Sequence, residues 1–183
     1  MNIEKRSIVI LFVFFLSCGK NIKTVTKVEN MYSKIKKELA PDKRTELFDI
    51  QFHLSNGALI LKGETTSKKA LSRLQDSLKY SQVNFKSEVR ILPDSSLENR
   101  QFAIAKNSVI NIRSNPKHSA ELGTQGLLGM ALRVLDKKGD FYRIQTPDNY
   151  ISWVDKGGIQ RMNKRDFDLW NASKKVLFTN NAG

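Results

Sequence analysis

Apolar positions along the chain follow three different periods. Ile8 to Leu16 is one unbroken run, "IVILFVFFL", preceded by Lys5 and Arg6. From residue 24 the spacing opens: Val25, Val28, Tyr32, Ile35 and Leu39 recur every three or four residues, with Lys and Glu between them. That spacing predicts an amphipathic helix, which Pro41 stops. Phe48, Ile50, Phe52 and Leu54 then alternate with Asp49, Gln51 and His53, the period of a half-buried strand. Asn56-Gly57 supplies the positive backbone angles of a tight hairpin, and "ALILKGE" returns as the partner strand. Ala70, Leu71, Leu74 and Leu78 mark a second helix, and Val83, Phe85, Val89 and Ile91 a third strand.

Helix, hairpin, helix and strand over residues 24–92 predict a small α/β sandwich, similar in element order to a BON module. The polar, turn-rich residues 93–101 read as a linker. Over 102–162, "FAIAKN", "SVINIRS", "GMALRVLDK", "FYRIQTP" and "YISWVD" are short apolar runs separated by turns, the signature of a small β-barrel. Within 163–183, Asn163 caps a short helix carrying Phe167 and Trp170, and "KKVLFTNNAG" reads as the truncated start of a further strand. The expected class is α+β: a small N-terminal α/β sandwich, then a small β-barrel and a short C-terminal helix.

The nine apolar residues at the N-terminus fall short of the roughly twenty a membrane-spanning helix needs, but they suit a secretory signal. "FLSCGK" resembles the end of a bacterial lipoprotein signal, which implies a signal peptide over 1–17, lipidation of Cys18 and a polar tether over 18–23. Gly19 after that cysteine implies sorting to the outer membrane, facing the periplasm. Cys18 is the sole cysteine, so no intrachain disulfide is expected, nor any cysteine nucleophile later in the chain. The net charge of +13 falls by one when residues 1–17 are removed. In an exported protein such a surplus points to anionic headgroups and peptidoglycan carboxylates, and no nucleic-acid partner is expected.

Catalytic chemistry is poorly supplied. His53 lies on the polar side of a strand and His118 in a Pro-Lys-His-Ser turn, both read as surface residues. Two histidines and one cysteine destined for lipid make neither a triad nor a zinc centre, and neither metal nor cofactor is expected.

The barrel segment is more specific. Asn111, Ile112, Arg113, Ser114, Asn115 and Pro116 resemble the Asn-x-Arg-x-x-Pro signature of bacterial SH3 (SH3b) domains, and Ser152-Trp153-Val154 their closing Gly-Trp-Val, with serine for glycine. Phe141 stands where Trp is commoner, and Gly129 opens a sharply bent strand. A longer stretch, about residues 40–183, resembles the N-terminal half of NlpC-type cell-wall peptidases, which cleave the γ-D-glutamyl bond to a diamino acid in peptidoglycan stem peptides. The resemblance implies that the catalytic domain is absent, since no cysteine follows residue 18. It also implies that Glu121 and Tyr150 recognise the free amine at the stem peptide's end, a carboxylate pairing with ammonium and a phenol adding an oriented hydrogen bond.

The resulting expectation is a non-catalytic, lipid-anchored envelope protein whose SH3b domain binds peptidoglycan, a muropeptide or an envelope partner. The alternative is the truncated or split N-terminal part of an NlpC-type peptidase. A third reading makes the N-terminal module a membrane-surface binder of the BON kind.

Overall fold

In the computed structural model the described residues are 16–176, with side chains from residue 24 onward. The expected signal segment up to residue 15 and residues 177–183 of the expected final strand (174–183) lie outside them, as does the side chain of Cys18. The described residues form two units, those up to 41 with 48–90, and 42–47 with those from 91 onward.

In the first unit, α1 spans Leu16–Leu39, so the segment expected as a tether is helical. Apart from Gly19 it contains no residue that opposes a helix, and a single glycine costs only about 1 kcal/mol. Val28 and Ile35 of the predicted stripe are buried, and Val25, Tyr32 and Leu39 pack against them. Strands β1 (Phe48–Ser55) and β2 (Ala58–Thr65) form an antiparallel hairpin from Phe48↔Thr65 to Ser55↔Ala58, turned by Asn56 and Gly57, both with positive φ. Helix α2 (Lys68–Tyr80) starts at Ser67, whose hydroxyl accepts from the Ala70 amide, and buries Ala70, Leu71, Leu74 and Leu78. It leads to β3 (Phe85–Ile91) on the far side of β2. Cross-strand pairs Lys62–Glu88 and Glu64–Arg90 run in step along β2 and β3, which marks the two strands as parallel, as a helical crossover requires. The helices and the alternating Phe48, Ile50, Leu59 and Leu61 share one core, leaving Asp49, Gln51 and His53 exposed on the other face.

The second unit is a seven-stranded antiparallel sheet in the order β10-β4-β7-β8-β9-β5-β6. Its strands are β4 (Phe102–Ala105), β5 (Val109–Arg113), β6 (Leu122–Leu127), β7 (Ala131–Lys138), β8 (Phe141–Gln145), β9 (Ile151–Asp155) and β10 (Ile159–Met162). Side chains from six of these strands, all but β6, meet in one core, so the sheet curls around it as an SH3-like barrel does. Gly129 enters β7 with φ +82°, a conformation side-chain-bearing residues rarely adopt. Residues 93–101 hold a single 3-10 turn, Ser95–Leu97, and Leu97 enters the barrel core. The Arg161 guanidinium fastens that turn by donating to the carbonyls of Leu97 (2.7 Å) and Arg100 (2.9 Å). A short helix α3 (Lys164–Ala172) follows; Asn163 caps it, and Phe167 stacks on Phe102 at 4.8 Å.

Strand β9 is buried on both faces. Val154 points into the main core, while Ile151 joins Leu92, Leu135 and Leu47 in a separate cluster on the opposite side. Leu47 belongs to residues 42–47, a strap that reaches this unit from the chain between α1 and β1. The Ile151 amide donates to the Arg44 carbonyl (2.6 Å), and the Gln145 side-chain amide donates to that of Thr45 (3.1 Å). A backbone pairing and an apolar contact thus hold the strap beside the start of β9.

Candidate functional site

The Asn-x-Arg-x-x-Pro stretch is structural in each of its polar parts. Asn111 faces Gln125 across β5 and β6 and accepts a hydrogen bond from its side-chain amide (2.9 Å). Half-buried Arg113 donates to the Ala120 carbonyl (2.8 Å), closing the loop 114–121 from within. The Ser114 amide donates to the Glu121 carbonyl (3.0 Å) and seals the same loop at its neck. His118 is exposed, as its turn position implies, but its ring rests on Phe141 at 5.0 Å and its Nε2 lies 3.6 Å from Asp155. Between these residues is a polar cavity of about 170 Å³, lined by Asn107, Asn111, Arg113, His118 and Asp155 among others.

Loop closure by the main chain places Glu121 at the neck of the loop, directly before β6. Its side chain is exposed, and its carboxylate forms no hydrogen bond or ion pair with the described residues. Tyr150 stands at the end of the β8–β9 hairpin, whose turn is set by Asn149 (φ +68°) and by Thr146, which accepts from the Tyr150 amide (3.0 Å). The Tyr150 hydroxyl covers Gly123: a Cβ on that glycine would sit 2.5 Å from it. Gly123 falls where the β5–β6 register slips, with Arg113 opposite Leu122 and Ile112 opposite Thr124. The bulge and the missing side chain together let the phenol lie against β6, two residues from Glu121. The two residues named from the sequence therefore lie at one end of the barrel, with no direct bond between their side chains.

Ser152 carries out a task that glycine could not. It is buried, and its hydroxyl donates to the carbonyl of Arg113 on the neighbouring strand. Trp153 beside it is 7% exposed, with the Arg143 guanidinium 4.6 Å from its ring. Among the described residues no three His, Cys, Asp or Glu side chains are grouped as metal ligands, and no helix is long and apolar enough to cross a membrane.

Two contributors escaped the sequence reading. Gly123 stood in "ELGTQG" as an unremarked glycine. Arg44 lies far away in the chain, and only the strap brings it to this end. Its Nε and Nη2 grip both oxygens of Asp42 at 2.7–3.1 Å. That grip, joined by the Arg44 amide, holds the Asp42 carboxyl well below its ordinary value, at about 2. The Arg44 guanidinium is shifted up in turn, mainly by Asp42 and least by the nearby Tyr150.

A search of curated proteins found no match to the chain. The family that does match covers β5 from its fourth residue through to the first residue of β10, taking in the Arg113 loop, Glu121, Gly123, Tyr150 and Ser152. Residues 112–159 match the family of bacterial dipeptidyl-peptidase SH3 domains.

Proposed function

We propose that this SH3b domain binds the free amino end of a peptidoglycan stem peptide, with Glu121 taking the ammonium and Tyr150 orienting it. The observation carrying the reading is the open Glu121 carboxylate two residues from Gly123, where the Tyr150 hydroxyl rests. A carboxylate exposed at a loop neck is free to form a charge-assisted bond without first breaking an internal one. In this reading the protein is a non-catalytic, envelope-bound binder, anchored through lipid on Cys18 in the outer membrane and facing the periplasm. The test is calorimetric titration with the L-Ala-γ-D-Glu-diamino acid tripeptide and its N-acetyl form. Binding of the free amine alone, weakened at least tenfold in Glu121→Gln, is expected; equal binding of both peptides, or none, would overturn the proposal.

A second reading is supported by the match to a domain of bacterial dipeptidyl-peptidases. There the same residues form half of a pocket that a cysteine-bearing catalytic domain completes. Co-purification with such a domain encoded by an adjacent reading frame, and tighter tripeptide binding in the complex, would favour it. On either reading the purified chain is expected not to hydrolyse the tripeptide.

A further inference from the structure

Beside Tyr150 the strap sets the guanidinium of Arg44, which Asp42 pairs along one edge only. Resting on the stem-peptide reading above, we propose that Arg44 binds a carboxylate of the same ligand. The domain then selects peptides whose free amino end is followed, one residue on, by a free carboxylate.

The geometry suits that role. Guanidinium can fork toward a carboxylate across Nε and Nη2 or across Nη1 and Nη2. Asp42 takes the first edge, bonding Nε and Nη2. Nη1 donates to none of the described residues, so the second edge is free, and the Arg44 side chain is 68% exposed. Asp42 thereby positions the group and leaves its outer fork presented. The location is set by the main chain: the Arg44 carbonyl accepts from the Ile151 amide, the residue after Tyr150, and Leu47 is packed against Ile151 and Leu135. The placement of residue 44 therefore does not depend on its side chain. The ligand chemistry follows from connectivity. A glutamate linked through its γ-carboxyl keeps its α-carboxylate, and in L-Ala-γ-D-Glu that carboxylate lies one residue from the ammonium. The α-amide of the same peptide keeps the shape and loses the charge.

Calorimetry with the tripeptide in acid and α-amide forms tests the inference. The wild type is expected to bind the acid about tenfold more tightly than the amide. Arg44→Gln should bind both equally, near the wild-type affinity for the amide, while Glu121→Gln weakens both. Arg44→Lys keeps a charge but not a fork and should reduce the preference, which carries the test should Arg44→Gln fold poorly. Amine-dependent binding without any acid preference in the wild type, or a preference unchanged in both Arg44 variants, would overturn the role of Arg44 and leave the ammonium site standing. Failure of the wild type to bind either form would remove both.

Discussion

A single missing methyl group governs the candidate site. At Gly123 a Cβ would press on the Tyr150 hydroxyl at 2.5 Å, and since that atom ends a side chain, the ring would move rather than the strand. Gly123→Ala is therefore expected to leave stability within about 1 kcal/mol of wild type while weakening tripeptide binding severalfold. Thermal melts and calorimetry on the same sample check both halves. Asp42 makes a separate residue-scale prediction. Its carboxyl is held below the ordinary 3.8, at about 2, by the Arg44 side chain and amide. A carboxyl depressed in the folded state contributes stability that is fully present above the unfolded value and lost as pH falls through the folded one. The Asp42–Arg44 grip should thus persist down to pH about 2, and carboxyl NMR shifts of Asp42 should report that midpoint. In Arg44→Gln the midpoint is expected to rise toward the ordinary value; an unchanged midpoint would mean that the pair does not form in solution.

Among the elements, the β1–β2 hairpin has the least tolerance. Gly63 sits opposite Ile50 with φ +133°, and a Cβ there would lie 2.0 Å from the Asp49 carbonyl oxygen. Both the backbone angle and the clash are with main chain, which cannot step aside. Gly63→Ala is expected to cost about 3 kcal/mol or more in the first unit, read as a lowered midpoint in chemical denaturation. By contrast, a Cβ added at Gly57, in the hairpin turn, would meet nothing within 4 Å, so alanine there should cost only its positive φ. The elements themselves were largely legible. The three-and-four spacing of Val28 and Ile35 and the alternation of Phe48 and Ile50 mark the buried faces of α1 and β1. Leu97 was not legible, because one leucine among polar turn residues has no period. Its burial depends on a barrel core assembled from strands that follow it in the chain.

For the whole molecule, the surplus of basic residues bears on the polymer as well as on the peptide. The net charge of +13 should draw the protein to sacculi rich in free carboxylates, an attraction that salt screens. Sedimentation with purified sacculi is expected to fall steeply as salt rises. The tripeptide, whose contacts are local ion pairs within a site, should lose less affinity over the same range. Equal salt dependence of the two would argue that sacculus binding is no more than the peptide contact repeated.

Local order was written in the sequence: the periods of α1, α2 and the strands, the Asn56-Gly57 turn, and the Asn111-to-Pro116 and Ser152-to-Val154 stretches that bracket the SH3 domain. These depend on residues near one another in the chain, where side-chain period and turn chemistry act directly. Glu121 and Tyr150 could be named from the resemblance those stretches carry, though not how they are held. The tertiary structure alone decided that Tyr150 rests on Gly123, that Ser152 bonds to Arg113, and that residues 42–47 serve the barrel and bring Arg44 to its end. Each of these is a contact between distant segments. It arises only when burial of Leu47 with Leu135 and Ile151, and pairing of β5 with β9, bring those segments together.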